Sequence, residues 1–239
     1  MPKIDYYSNY SQTQSLQDGF TKEQLDWGVN YFNNHFLPHL PEIKEVNILE
    51  IGCGWGKFLK ALDYNGYTNI SGIDVSPEQI NIAKNVVGLK NVTVKDAIEY
   101  VDSLKENLDC VILSDVLEHL ENDYAVELFS KIYVKLNTGG KIIVQVPNGL
   151  SLLNPIRYAD ITHVQAFIPQ SLGQIFRLSN FKKIDCFSVP PRGKNLKTKI
   201  RAILWTVVIN PLIKIYMLVA NGDTMGGIYT SNIIAVAQK

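Results

Sequence analysis

Three glycines at alternating positions, Gly52, Gly54 and Gly56, directly follow a short hydrophobic run that contains Glu50. Glycines between a strand and a helix let the backbone turn tightly and approach a ligand closely. A P-loop is excluded, because its lysine must be followed by Ser or Thr and Phe58 stands there. A dinucleotide-binding GxGxxG is excluded because its last position is a lysine here. The remaining pattern, ExGxGxG, predicts a ligand-binding turn of a third kind.

Acidic side chains follow the next predicted strands. Asp74 ends the second strand, where a carboxylate can accept hydrogen bonds from both hydroxyls of an adenosine ribose. Asp96 follows the third strand, and the fourth runs into the letters SDVLEHL from Ser114 to Leu120. Ligands of open α/β sheets bind at the carboxyl ends of the strands. We therefore expect these residues to surround one site.

Together these segments resemble the class I S-adenosylmethionine (SAM) methyltransferases, in the ExGxGxG motif and in the LEH letters after the fourth strand. The resemblance covers about residues 46–189 and 229–238. It implies SAM as the cofactor, with Asp96 facing the adenine amino group and Cys53 a small filler of the motif. The residues expected to bind SAM are Glu50, Gly52, Cys53, Gly54, Gly56, Asp74, Val75, Gln79, Asp96, Ala97, Ser114, Asp115 and Leu117.

Short apolar runs alternate with amphipathic segments, which predicts βαβ units around a mostly parallel sheet. Strands are predicted at 46–51, 69–75, 92–95, 108–114, 140–146, 183–189 and 232–238, and helices at 22–40, 57–64, 77–86, 123–136 and 169–178. The resemblance implies a Rossmann-like α/β fold with seven strands, the last one antiparallel, and helices on both faces. We expect a methyltransferase domain at 46–239, preceded by a helical lid at 1–45.

The lid is predicted to fold over the cofactor. It contains Tyr6, Tyr7 and Tyr10, and Trp27 and Phe32 are expected to pack nearby. This placement follows the habit of the family, because the sequence itself carries no contact information.

Histidines that follow the carboxyl ends of the predicted strands are candidates for the removal of a proton, which methyl transfer to a hydroxyl requires. The segment from Thr162 to Leu172 resembles the THV..F.P.SL segment of bacterial methyltransferases found with glycan and cell-surface polysaccharide pathways. We therefore predict His163 as the general base, oriented by Asp160, with His119 as second choice. The alternatives are that His163 anchors its loop and that His119 caps a helix.

No metal site is predicted. Asp115, His119 and Asp160 could hold Mg²⁺, as in some sugar O-methyltransferases, but their spacing in the sequence is not diagnostic. The leading function is SAM-dependent O-methylation of a sugar, nucleotide-sugar or surface polysaccharide intermediate. The alternatives are methylation of a lipid-soluble quinone precursor, a non-catalytic SAM-binding partner in glycan synthesis and, more distantly, an NAD-binding Rossmann domain.

The 239 residues include 23 basic and 23 acidic side chains, so the formal net charge is zero. This balance argues against general nucleic-acid binding. Its distribution is uneven, since residues 190–220 contain six basic and no acidic side chains, which leaves 17 basic against 23 acidic elsewhere. We expect this stretch to recognise an anionic acceptor or a phospholipid surface.

Residues 202–220 contain 15 apolar side chains among 19, interrupted by Asn210, Pro211 and Lys214. A spanning helix needs about 20 apolar residues, so a transmembrane segment is not expected. We expect the insertion at 190–228 to form a helix pair or a cap over the active site. Its apolar face could bury substrate, a homodimer partner or a peripheral membrane contact at 192–220. The alternative is a solvated basic loop before a buried helix.

The three cysteines, Cys53, Cys110 and Cys186, are too few and too scattered for a disulfide framework or a CxxC metal site. An odd number of free thiols is typical of a reducing compartment. The first residues lack the apolar run of a signal peptide. We therefore expect a cytoplasmic protein, at the inner face of the membrane if the insertion meets lipid.

Overall fold

A seven-stranded sheet forms the centre of the computed structural model, which describes residues 20–192 and 195–239. Its strands are β1 (Ile48–Ile51), β2 (Ile70–Asp74), β3 (Val92–Val94), β4 (Leu108–Ser114), β5 (Leu136–Pro147), β6 (Lys183–Ser188) and β7 (Asn232–Gln238). The three lid tyrosines and Lys194 lie outside the described residues.

The strand order is β3-β2-β1-β4-β5-β7-β6. Strands β1 to β5 are parallel to one another, whereas β7 runs antiparallel to both β5 and β6. The first five strands and β6 therefore all end at one edge, called here the carboxyl edge, and β7 begins there. The predicted Rossmann-like class I methyltransferase fold is confirmed.

Helices cover both faces of the sheet. They are α1 (Lys22–His35), α2 (Lys57–Tyr64), α3 (Pro77–Asn85), α4 (Ala97–Ser103), α5 (Asn122–Lys135), α6 (Pro155–Tyr158), α7 (Pro169–Leu178), α8 (Leu196–Leu204) and α9 (Asn210–Asn221). A π-helical turn at Trp205–Ile209 joins α8 to α9 without a break.

Two apolar layers hold the helices on the sheet. On one face, Phe129 of α5 packs against Phe176 of α7 with tilted rings, and both are fully buried. On the other, Phe32 and Phe36 at α1 pack on Phe58 of α2. Burial of each such side chain stabilises the fold by roughly 1.5–3 kcal/mol. These layers fix the helices whose ends surround the carboxyl edge.

The largely helical stretch predicted at 22–40 consists of α1, which ends at His35, and a separate 3₁₀ turn, Leu37–His39, with a proline in its first turn. Three other details of the prediction were wrong. Strand β5 begins at Leu136 rather than at 140, directly after α5. Helix α4 was missed because its seven residues are too few to establish a period. The insertion contains one continuous helical segment, Leu196–Asn221, rather than a helix pair.

The candidate lid helix α1 packs on α2 and contributes no residue to the cavity described below. Phe32 is fully buried between these helices, and Trp27 is exposed and stacks on Tyr31. Phe20, before α1, makes an edge-to-face contact with Trp55, which lines the cavity. A lid formed by the residues before Phe20 stays a prediction.

Candidate active site

A cavity of about 560 Å³ opens at the carboxyl edge, around the ends of β1, β2 and β4. Eleven of the thirteen predicted SAM-binding residues line it: Glu50, Gly52, Cys53, Gly54, Asp74, Val75, Gln79, Asp96, Ala97, Ser114 and Asp115. Gly56 and Leu117 do not. Gly56 is the N-cap of α2 and lies beside Leu89, and Leu117 is buried in the core.

The glycine turn is shaped by close packing. Gly52 has a φ of +70°, and a Cβ built on it would lie 2.3 Å from Val116 Cγ2. Gly54 also has a positive φ, and a Cβ there would meet Gln79 at 3.5 Å. Glycine at position 52 is therefore required both by the left-handed backbone and by the approach of the loop after β4.

Asp74 joins two backbone turns at the cavity wall. Its Oδ2 accepts a 2.8 Å hydrogen bond from Gly54 N, and its Oδ1 accepts one of 2.8 Å from Ser76 N. Burial raises the pKa of this carboxyl, and the backbone hydrogen bonds oppose that rise. Carboxylate oxygens have several lone-pair sites, so Asp74 retains acceptor capacity for ligand hydroxyls.

Glu50 lies below the glycine turn and is 2% exposed. Burial raises its pKa to about 8, against the opposing effect of the Lys57 ammonium. Its Oε2 is buried without a hydrogen-bond partner among the described residues. An orphaned carboxyl oxygen at the cavity wall fits a ligand that supplies a hydrogen-bond donor or a positive charge, and SAM carries both an ammonium and a sulfonium.

Asp96 is tied to both α4 and α5. Its Oδ1 accepts from Glu99 N at 3.1 Å and caps α4, and its Oδ2 accepts from the Tyr124 hydroxyl at 2.7 Å. Tyr124 lines the same cavity, although the sequence analysis did not single it out. The sequence indicates its place at the cavity only weakly, through its position on a helix that follows the LEH segment.

Other wall residues were also missed by the sequence analysis. They are Ile51, Trp55, Lys57, Ile73, Ser76, Lys95, Leu120 and Leu128. Most flank the predicted motif residues, so widening each motif by one position would have found them. Leu128 of α5 carries no signal of this kind.

His119 lines the cavity, and a chain of polar groups stands behind it. Its Nδ1 lies 2.9 Å from Thr162 Oγ1, and that hydroxyl lies 2.6 Å from Asp160 Oδ1. Asp160 Oδ1 also accepts from Thr162 N at 2.8 Å. Burial, and secondarily the neighbouring His163, lowers the pKa of His119 from 6.5.

His163, the predicted base, is buried behind His119 and does not line the cavity. Its Nδ1 lies 3.1 Å from Arg157 O, and its Nε2 lies 3.8 Å from Glu118 Oε1. The two imidazole rings are 4.7 Å apart. The structure therefore places His119, and not His163, at the cavity wall, and Asp160 contacts Thr162, which in turn contacts His119.

Glu118 is fully buried, and burial raises the pKa of its carboxyl well above the ordinary value. One ligand atom each from Glu118, His119 and His163 lies within 4.8 Å of the others, a grouping that could hold a metal ion. It shares only His119 with the set Asp115, His119 and Asp160 considered from the sequence. Glu118 stands within the LEH letters but was not predicted as a metal ligand.

The chain matches the methyltransferase domain family over residues 25–185. A ubiquinone biosynthesis O-methyltransferase from Rickettsia bellii is 30% identical over 112 residues, which cover 45% of this chain and 46% of that protein. An EEF1A lysine methyltransferase 2 from Mus musculus is 32% identical over 92 residues, 37% of this chain and 35% of that one. The chain thus matches about half the length, or less, of these curated relatives.

Solved structures share the fold. A SAM-dependent methyltransferase from Archaeoglobus fulgidus superposes with a TM-score of 0.68 at 24% identity, covering 98% of this chain and 100% of that one. A phosphoethanolamine N-methyltransferase 2 from Haemonchus contortus, solved with SAM, has a TM-score of 0.64 at 19% identity, with coverages of 100% and 60%. The chain belongs to the methyltransferase domain family, within the SAM-dependent class I fold.

Proposed function

We propose that this protein transfers the methyl group of SAM to a hydroxyl oxygen, with His119 as the general base. The observation that carries the proposal is the polar chain from Asp160 through Thr162 to His119 at the wall of the cavity. A base must reach the acceptor oxygen, and His119 is the histidine on the cavity wall among the described residues.

The polar chain selects one tautomer of His119. Thr162 has a single hydroxyl proton, and the Asp160 carboxylate, 2.6 Å away, can only accept it. The Thr162 oxygen therefore accepts from Nδ1–H of His119, which leaves Nε2 unprotonated. Because the pKa of His119 is lowered from 6.5, the ring is neutral at pH 7 and can take a proton.

When bound, SAM supplies an electrophilic methyl carbon. The residues of this chain bind and orient the reactants. Asp74 and Asp96 offer carboxylate acceptors for hydroxyl and amino groups, Asp115 adds negative charge around a cationic ligand, and the unpartnered Glu50 Oε2 offers an oxygen to a hydrogen-bond donor of that ligand. His119 accepts the proton that the acceptor hydroxyl loses as its oxygen forms the new bond. General-base assistance of this kind contributes roughly 10²–10⁴ in rate.

The acceptor in the leading proposal is a sugar hydroxyl on a nucleotide-sugar or a surface polysaccharide intermediate. The resemblance of the Thr162–Leu172 segment to glycan-pathway methyltransferases supports this choice. A phenolic quinone precursor is the second candidate, favoured by the similarity to ubiquinone biosynthesis O-methyltransferases and by an exposed apolar helix. Both acceptors present a hydroxyl, so the proposed role of His119 is the same.

Transfer from SAM with a labelled methyl group, over a panel of nucleotide-sugars, lipid-linked glycans and demethylated quinone precursors, tests the proposal. We expect the labelled methyl group to appear on an oxygen in one of these acceptor classes. His119→Ala should lower kcat by about 10²–10⁴ with the Kd for SAM unchanged. His39→Ala, outside the cavity, is the matched control.

Three outcomes would contradict the proposal. Labelling of a nitrogen would exclude O-methylation, and an unchanged kcat in His119→Ala would exclude this base. Tight SAM binding without any transfer over the panel would favour a non-catalytic SAM-binding partner in glycan synthesis.

A further inference from the structure

The helix Leu196–Asn221 is an unusual surface feature of the described chain. It has 26 residues, and none of its residues in α8, the π turn or α9 is buried. Twelve large apolar side chains between 196 and 219 are 39–83% exposed. Apolar surface of this extent marks an interaction site rather than a solvated face. The family match ends at residue 185, before this helix begins.

Polar side chains on the second half of this helix form a narrow stripe. Asn210, Lys214 and Asn221 are separated by four and seven residues, so at 3.6 residues per turn they fall on one side. The other positions of α9 after Pro211 are apolar. A helix with an apolar face and a polar stripe can lie in a membrane interface with the stripe toward the headgroups.

Positive charge is concentrated at the start of the helix. Lys197, Lys199 and Arg201 are exposed within five residues, and residues 190–220 contain no acid. The rest of the chain carries a net charge of −6, the difference between 17 basic and 23 acidic residues. The helix of a second copy would bring no acidic partner to these cations. An anionic phospholipid surface complements both the charge and the apolar face.

The sheet topology prevents this helix from crossing a bilayer. Strand β7 lies between β5 and β6, and Ser188 pairs with Ile233, so the chain leaves and re-enters one sheet at the carboxyl edge. Asn148 Nδ2 donates a 2.8 Å hydrogen bond to Ile228 O, which attaches this residue to the domain. Six residues separate Asn221 from Ile228 and reach at most about 25 Å. The hydrocarbon core is about 30 Å thick, which exceeds that reach. If the helix crossed the bilayer, the chain after Asn221 could therefore not reach back to Ile228 in the domain.

Before the helix, Arg192 Nη1 donates a 2.8 Å hydrogen bond to Asn34 O. Both flanks are therefore attached to the domain, and the roughly 39 Å helix can reach a bilayer only along its surface. Because the insertion leaves the carboxyl edge, this surface is on the side where the cavity opens.

We propose that Leu196–Asn221 docks in the plane of an anionic phospholipid bilayer. Its basic first turns contact lipid phosphates, and its apolar face enters the boundary between headgroups and acyl chains. The negatively charged inner leaflet of a cell membrane has the matching chemistry. This docking does not depend on methyl transfer, and its test uses neither SAM nor an acceptor.

Flotation of the full chain with vesicles tests the docking. We expect binding to an equal mixture of phosphatidylcholine and phosphatidylglycerol and much weaker binding to phosphatidylcholine alone. The triple variant Lys197→Gln, Lys199→Gln, Arg201→Gln should weaken binding to the mixture on the order of 100-fold. Its matched control neutralises three exposed lysines elsewhere, Lys84→Gln, Lys90→Gln and Lys105→Gln, and should bind as the wild type does.

The apolar face is tested separately. Ile203→Glu with Val207→Glu should abolish flotation, whereas Ile43→Glu with Val134→Glu, at comparably exposed positions, should not. Equal binding of both double variants would overturn the proposal. So would a wild type that fails to float and instead forms a dimer, by sedimentation velocity, that Ile203→Glu with Val207→Glu dissociates.

Trp205 reports the depth of the helix. In a Trp27→Phe, Trp55→Phe background it is the remaining tryptophan of the three in the chain. An in-plane helix predicts stronger quenching by lipids brominated near the headgroup than by lipids brominated near the chain ends. The reverse order would show a deeply inserted helix and overturn the in-plane geometry.

Discussion

Thr162 Oγ1 lies 2.9 Å from His119 Nδ1, and this contact joins the loop after β5 to the turn after β4. The hydroxyl also lies 2.6 Å from Asp160 Oδ1. In the proposed tautomer, the threonine hydroxyl donates to the carboxylate and accepts from Nδ1–H of His119. The proposed role of His119 therefore depends on a residue that does not line the cavity.

Removal of the Thr162 hydroxyl should impair catalysis through His119. In Thr162→Val, His119 loses the acceptor of its Nδ1 proton, so we expect kcat to fall by roughly 10–100-fold with the Kd for SAM unchanged. Thr162→Ser keeps the hydroxyl and should retain most of the rate. Equal losses in both variants would mean that packing of the threonine methyl, and not the hydroxyl, matters.

The pH dependence of kcat should follow the ionisation of His119. The base is active when unprotonated, so the rate rises with pH through its pKa and levels off above it. Because burial lowers that pKa from 6.5, we expect the midpoint below pH 6.5. His119→Ala should remove this acid limb from the pH–rate profile. A limb that persists in the variant would belong to another group.

Asp74 should be needed for SAM binding. Gly54 N and Ser76 N each donate at 2.8 Å to a different oxygen of Asp74. Asp74→Asn replaces one of these oxygens by an NH2 group, which cannot accept, so one of the two backbone donors loses its acceptor. We expect the Kd measured by calorimetry to rise by about tenfold to a hundredfold, as for loss of hydrogen bonds to a charged group. Asp63→Asn, at an exposed acid, should leave it unchanged. An unchanged Kd in Asp74→Asn would remove this residue from the cofactor site.

Gly52→Ala should destabilise the fold through two separable effects. The φ of +70° costs about 1–2 kcal/mol with a Cβ, and the contact with Val116 adds about 1–3 kcal/mol. Gly66→Ala has a similar φ of +82° and open space around it, so it measures the backbone cost alone. In urea unfolding, Val116→Ala should lessen the loss from Gly52→Ala but not that from Gly66→Ala. Equal effects would exclude the steric contact.

Glu50 should make the free energy of unfolding depend on pH. Its pKa is raised from 4.5 to about 8 in the folded state, so between these values the folded chain binds a proton that the unfolded chain has lost. The free energy of unfolding therefore falls by about a few kcal/mol as pH rises through this window, and it levels off above it. Glu50→Gln should flatten that slope, whereas Glu42→Gln, at an exposed site, should not. An unaltered slope in Glu50→Gln would show that other buried acids produce it.

The sequence by itself determined the strand-turn-helix motifs and hence the fold. Local spacing encodes the glycine turn after β1 and the acids that end β2 and β3, and parallel strands must bring these ends to one edge. Eleven of the thirteen residues chosen in this way line the cavity. Gly56 and Leu117 differ because a residue can belong to a motif and still face a helix or the core.

Only the tertiary structure placed one of the two histidines at the cavity wall. His119 and His163 are 44 positions apart, and which ring faces the cavity depends on how the loop after β5 folds onto the turn after β4. The course of the insertion was decided in the same way. Its apolar composition allowed a span, a helix pair or a cap, but the pairing of β7 with both β5 and β6 returns the chain to its own sheet. Long-range pairing of this kind is a property of the assembled sheet, which local sequence does not encode.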